Sequence, residues 1–61
     1  MKFVEIQTRN GDVETVNAHH ITKMYVVTYN GDIFTRVCMV MGTMYIDSPL
    51  TVSQILHRIN S

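Results

Sequence analysis

The run Ile33-Phe34-Thr35-Arg36-Val37-Cys38-Met39-Val40-Met41-Gly42-Thr43-Met44-Tyr45-Ile46-Asp47 decides the fold. Its centre, Val37 to Met41, is apolar throughout. A strand with one wet face alternates apolar and polar side chains, whereas a strand covered on both faces need not. Ile33–Met41 therefore reads as a central strand that needs cover on two sides. Gly42 interrupts the run as a turn or bulge would. Thr43–Asp47 reads as a further strand, with Met44 and Ile46 on one face and Tyr45 on the other.

Upstream, the chain reads as two hairpins. Lys2–Thr8 places β-branched Val4, Ile6 and Thr8 on one side, which suits a strand. Asn10-Gly11 follows, a dipeptide favoured in type I′ turns because both central residues need positive φ. A two-residue loop would set Arg9 against Asp12 as an ion pair, Thr8 against Val13 and Ile6 against Thr15, with strand two over Asp12–Val16. Asn17-Ala18-His19-His20 breaks the alternation and reads as one helical turn capped by Asn17. Ile21–Thr28 is the third strand. Asn30-Gly31-Asp32 repeats the first turn's tripeptide. A second type I′ turn there would pair Tyr29 with Asp32, Val27 with Phe34 and Tyr25 with Arg36, the last a guanidinium against a ring.

Downstream, Ser48-Pro49 ends the β region. Thr51-Val52-Ser53-Gln54 fits a capping box, with Leu50 as a staple against Ile55. Val52, Ile55, Leu56 and Ile59 recur at helical spacing as one apolar stripe. His57, Arg58 and Asn60 face water, and a helix this short must dock to be stable.

The 61 residues form a single domain over 1–61. A chain of this size hides only about 60% of its unfolded surface and commonly needs a disulfide, a metal or a second chain as support. The single cysteine, Cys38, cannot form an internal disulfide, which fits a reducing cytoplasm. The three histidines and one cysteine lack a zinc spacing. That leaves self-association, and a homodimer or higher oligomer is expected, jointed at edge strands one and five. Five Lys/Arg balance five Asp/Glu, and Lys2, Arg9, Lys23, Arg36 and Arg58 are scattered. Nucleic-acid binding normally uses a clustered basic face, so that partner is disfavoured. The N-terminal segment lacks the apolar run of a signal peptide, and no stretch approaches the length of a membrane span.

Candidate chemistry is sparse. His19-His20 reads as two exposed turn residues, since adjacent spacing is not a ligand motif. Cys38 sits in an apolar run and reads as a small inert hydrophobe. The carboxylates Glu5, Asp12, Glu14, Asp32 and Asp47 show no pairing for acid–base work. No catalytic residue, metal site or cofactor is assigned. Met24, Met39, Met41 and Met44 make a methionine-rich patch, which serves either as core filler or as an adaptable binding surface. Tyr25, Tyr29 and Arg36 could stack and charge-pair a small nucleotide-like ligand. Tyr25, Tyr29, Tyr45 and Phe34 could also stack bases of a single strand. The candidate partner or ligand residues are thus Tyr25, Tyr29, Arg36, Met39 and Met41.

The whole pattern carries more than any one residue. It runs strand, Asn-Gly, strand, Val16-Asn17-Ala18-x-x-Ile21, strand, apolar strand, Gly42, short strand, and a Ser/Pro-initiated helix ending Ile55-Leu56-x-x-Ile59. It resembles the small FlbD-like proteins of bacterial flagellar operons, also called SwrD, and many short phage and prophage proteins. That resemblance implies a small, non-enzymatic cytoplasmic protein, associated in the flagellar members with motility and motor function. Ile46, Ser48, Pro49 and Leu50 replace charged residues usual in the flagellar proteins, which favours the phage or accessory form.

The expected fold is mainly β (α+β). Five antiparallel strands form a curled sheet or small open barrel with one short C-terminal helix. The expected core is Val4, Ile6, Val16, Ile21, Met24, Val26 and Ile33, with Val37, Met39, Ile46, Val52, Ile55, Leu56 and Ile59. The expected role is a binding protein that occupies a host or motor protein. A second chain is expected to cover Val37–Met41.

Overall fold

Why Asn-Gly makes two different turns explains most of the architecture. The computed structural model describes residues 2–40 and 44–61. The expectations for Met41, Gly42 and Thr43 lie outside the described residues. Strand β1 (Phe3–Gln7) pairs antiparallel with β2 (Val13–Asn17), Val4 opposite Val16 and Ile6 opposite Glu14. This differs by one residue from the register expected of a two-residue loop. The Thr8 N–H donates to the Asp12 carbonyl (2.8 Å), the Gly11 N–H donates to the Thr8 carbonyl (3.1 Å), and the Thr8 Oγ1 accepts from the Asp12 N–H (3.2 Å). Arg9-Asn10-Gly11 is thus a three-residue loop, a turn closed by a left-handed Gly11 with φ +91°. A one-residue slip flips every side chain of a strand. Here it turns Val16 inward beside Val4 and leaves Val13 outside. The expected Arg9–Asp12 ion pair is lost with that register, because Arg9 lies within the loop.

The second Asn-Gly does form the two-residue turn. Asn30 and Gly31 both take positive φ (50° and 83°). Strands β3 (Ile21–Tyr29) and β4 (Asp32–Met39) pair Tyr29 with Asp32, Val27 with Phe34 and Tyr25 with Arg36, as read from the sequence. A bulge between Ile21 and Lys23 ends the regular register. Strand β5 (Tyr45–Ser48) pairs on the other side of β4, Ile46 opposite Val37.

The five strands form two sheets, β1-β2 and β3-β4-β5, not one curled sheet or barrel. The helical turn Ala18–His20 is responsible. The Asn17 side chain accepts from the His19 N–H (2.9 Å) and redirects the chain, so β3 does not pair with β2. Helix α1 (Val52–Asn60) starts at the expected capping box. The Thr51 hydroxyl accepts from the Gln54 N–H, and the Gln54 side chain accepts from the Thr51 N–H. The helix lays Ile55 into a core formed with Val4, Ile6, Val37 and Ile46. Val16, Ile21, Met24, Met39 and Ile59 pack around that centre, with Ala18 and Leu50.

Three expected core residues stand outside: Val26 (62% exposed), Ile33 (72%) and Leu56 (43%). Alternation assigns Val26 and Ile33 to the inner face, but the β3–β4 hairpin runs on beyond the core cluster that the helix and first hairpin build. Conversely Phe34, not expected inside, is 5% exposed. Val37 is fully buried within the single chain, so it does not need the second chain expected over it.

Ile6→Ala should remove about 2–5 kcal/mol, against a total of roughly 3–9 kcal/mol for a chain of this length. Val13→Thr, on the outward face of the same hairpin, should change stability by no more than about 0.5 kcal/mol. Urea unfolding followed by circular dichroism distinguishes them; equal losses would contradict the register.

Candidate partner-binding cleft

The outer face of β4 carries Phe34, Arg36 and Cys38 beside Tyr25 and Lys23 of β3 and Tyr45 and Asp47 of β5. Arg36 sits opposite Asp47 and donates to it twice, Nε to Oδ1 at 2.8 Å and Nη2 to Oδ2 at 3.1 Å. Its guanidinium lies 4.3 Å from the centre of the Tyr45 ring and 5.9 Å from that of Phe34. The paired bonds that Arg36 donates to Asp47 hold its guanidinium charged well above its ordinary pKa; partial burial opposes this, and Tyr25 and Tyr45 reinforce it. Arg9 reaches across from the first hairpin to lie 4.0 Å from the Phe34 ring centre and 3.4 Å from Asp32. Planar guanidinium groups stack on rings and pair with carboxylates at once, and that dual use covers the face without a second helix.

This geometry locates the residues singled out from the sequence. Tyr25 and Arg36 do meet across β3 and β4. Tyr29 shares their face but stands at the hairpin tip, 62% exposed. Met39 lies on the opposite face, packed against the core, and Met41 is outside the described residues. Arg36 gives two donors to Asp47, so a phosphate would meet only those the carboxylate leaves. Cys38 is free and half-buried. His19 and His20 are exposed on their turn. Among the described residues no group of three or more His, Cys, Asp or Glu side chains gathers as metal ligands. No helix among them is long and apolar enough to cross a membrane.

A concavity lies elsewhere, between β2 and β5. At its narrow end the Arg9 N–H donates to the Asp47 carbonyl (2.9 Å) and ties the two sheets together. Beyond that bond the strands flank a polar recess of about 480 Å³ lined by Asp12, Glu14 and Asp47. It continues into an apolar cleft of about 520 Å³ lined by Phe3, Val16, Met39, Met44, Tyr45 and Ile46. Glu14, Tyr45 and Ile46 line both parts. Phe3 (59%), Met44 (63%) and Tyr45 (53%) keep large apolar surfaces in solvent.

Both walls also turn main-chain groups away from their own sheets. In an antiparallel ladder alternate residues exchange hydrogen bonds, and those between them point outward. The Met39 N–H donates to the Met44 carbonyl, so Ile46 and Ser48 also face β4, while Tyr45 and Asp47 point into the cleft. The Thr8–Asp12 bond likewise turns Val13, Thr15 and Asn17 of β2 outward. Met39, singled out from the sequence as a partner-binding candidate, lines this cleft; Phe3, Val16 and Tyr45 as cleft residues depend on how two sheets meet, which strand patterning does not contain. No family model, curated protein or solved structure gives a significant match to the chain.

Replacing Asp47 by Ala should lower the urea midpoint and so should Arg36→Ala, because either leaves a charge without its partner. The double variant should be less destabilised than the sum of the two. A strictly additive result would show that the bidentate pair is not formed.

Proposed function

We propose that the chain is a non-catalytic binding module that works in the cytoplasm by occupying another protein, which inserts an extended segment along the β2–β5 cleft. The observation that carries this reading is the combination in one place of an apolar cleft of about 520 Å³ and two strand edges with outward main-chain groups. Strand addition uses such edges for affinity and alternate side-chain pockets for specificity. An apolar side chain of the partner would enter beside Met39 and Ile46. A basic one would reach the polar recess at Asp12 and Glu14, two exposed carboxylates. The likeness to FlbD-like and phage proteins supports a protein target, a host or motor component, over a reaction.

The test is affinity capture from bacterial lysate with the wild-type chain, Tyr45→Ala and Met44→Glu, each checked for fold by circular dichroism. The expected outcome is at least one protein retained by the wild type and reduced about tenfold or more by each cleft variant. Capture that is indifferent to both substitutions would contradict the cleft as the binding site.

A further inference from the structure

Strand β3 is an edge of its sheet, nine residues long, and it is poorly protected. Natural edges are blunted by shortness, charge, proline or bulges. β3 has a bulge at its start and one charged residue, Lys23; from Met24 to Tyr29 it has neither charge nor proline. On this edge strand stands the exposed Val26, and Ile33 of β4 is exposed on the same face, apolar side chains of the inner face that the chain's own core does not reach.

The pairing phase of this edge follows from its turn. Tyr29 and Asp32 flank a two-residue turn and exchange hydrogen bonds, so Val27 and Tyr25 also face β4. The N–H and C=O groups of Met24, Val26 and Thr28 therefore point away from the sheet. The same phase on β4 turns Thr35, Val37 and Met39 toward β5, in agreement with the Met39–Met44 bond.

We propose that a second copy of this chain occupies the β3 edge, β3 pairing antiparallel with β3 about a twofold axis at Val26. In that register Val26 meets Val26 of the second copy, Met24 meets Thr28 and Tyr25 meets Val27. About six main-chain hydrogen bonds form from the outward groups. The register keeps inner face with inner face, so Val26 of each copy closes on Val26 of the other, flanked by the Met24–Thr28 pairs. Lys23 falls opposite Tyr29, a cation beside a ring, as it already lies 5.5 Å from the Tyr25 ring centre. No like charges oppose, and the chain's formal net charge is zero. This self-match is what selects a second copy over an unrelated strand. It also differs from the joints at the first and fifth strands expected from the sequence. The product is a continuous six-stranded sheet with a β5 edge at each end, about 24 Å apart at 4.8 Å per strand step. The two β2–β5 clefts remain free, so the inference is independent of what they bind.

Sedimentation velocity across 1–200 μM tests it, together with disulfide trapping in a Cys38→Ser background. The wild type should sediment at twice 7.0 kDa at the upper concentrations. Val26→Lys, at a site already exposed, should keep its circular dichroism and sediment as a monomer. Val26→Cys should cross-link to itself under mild oxidation, and Met24→Cys should do so at least tenfold less. A wild type that stays monomeric at 200 μM overturns the proposal. So does a Val26→Lys dimer, or equal trapping at positions 24 and 26.

Discussion

A strand in the middle of a sheet has two faces to keep from water, and a chain of 61 residues has one helix with which to do it. That constraint sets the structure. On the inner face of β4 the solution is ordinary: Val37 is closed over by Val4, Ile6, Ile46 and Ile55. On the outer face no second layer of secondary structure is present among the described residues. Arg36 is clamped to Asp47 and laid against Tyr45, and Arg9 is carried over from another hairpin to lie on Phe34. Long cationic side chains cover apolar surface with their stems and planes while the charged ends stay wet or paired. A polar residue thereby serves as a lid.

That solution spends the chain's material on its centre and leaves its edges bare. The loop of the first hairpin is tied to β5 where the Arg9 N–H meets the Asp47 carbonyl, and β2 and β5 flank the apolar cleft. The β3–β4 hairpin extends past the helix with Val26 and Ile33 uncovered. Edges of this kind are where strands of other chains add. The two surfaces are geometrically separate, one at each side of the three-stranded sheet, so one can serve self-association while the other holds a different protein.

Local chemistry was legible in the sequence wherever one segment decided it. The capping box at Thr51–Gln54, the Asn17 cap and the Asn30-Gly31 turn with its register all appear in the structure. The first Asn-Gly misled because Thr8 precedes its loop. The Thr8 hydroxyl takes the Asp12 N–H and favours a three-residue loop over a two-residue one, a signal present in the sequence but weaker than the dipeptide. Val26 and Ile33 were placed on the correct face and wrongly inside, since alternation reports a side chain's direction and not whether anything stands opposite. Phe34 was missed for the reverse reason: its cover is a guanidinium from 25 residues earlier in the chain. The cleft was illegible for the same cause, because it exists only where two hairpins meet.

The central claim is that the middle of β4, Phe34 to Val37, is sealed on both faces by its own chain while the flanking edge of β5 stays open. Amide hydrogen exchange of the purified protein, read residue by residue by nuclear magnetic resonance, tests it most directly. The Arg36 and Val37 amides should exchange among the slowest, through global unfolding alone, and the Tyr45 and Asp47 amides should exchange orders of magnitude faster. A rapidly exchanging Val37, or a Tyr45 and Asp47 as protected as β4, would contradict it.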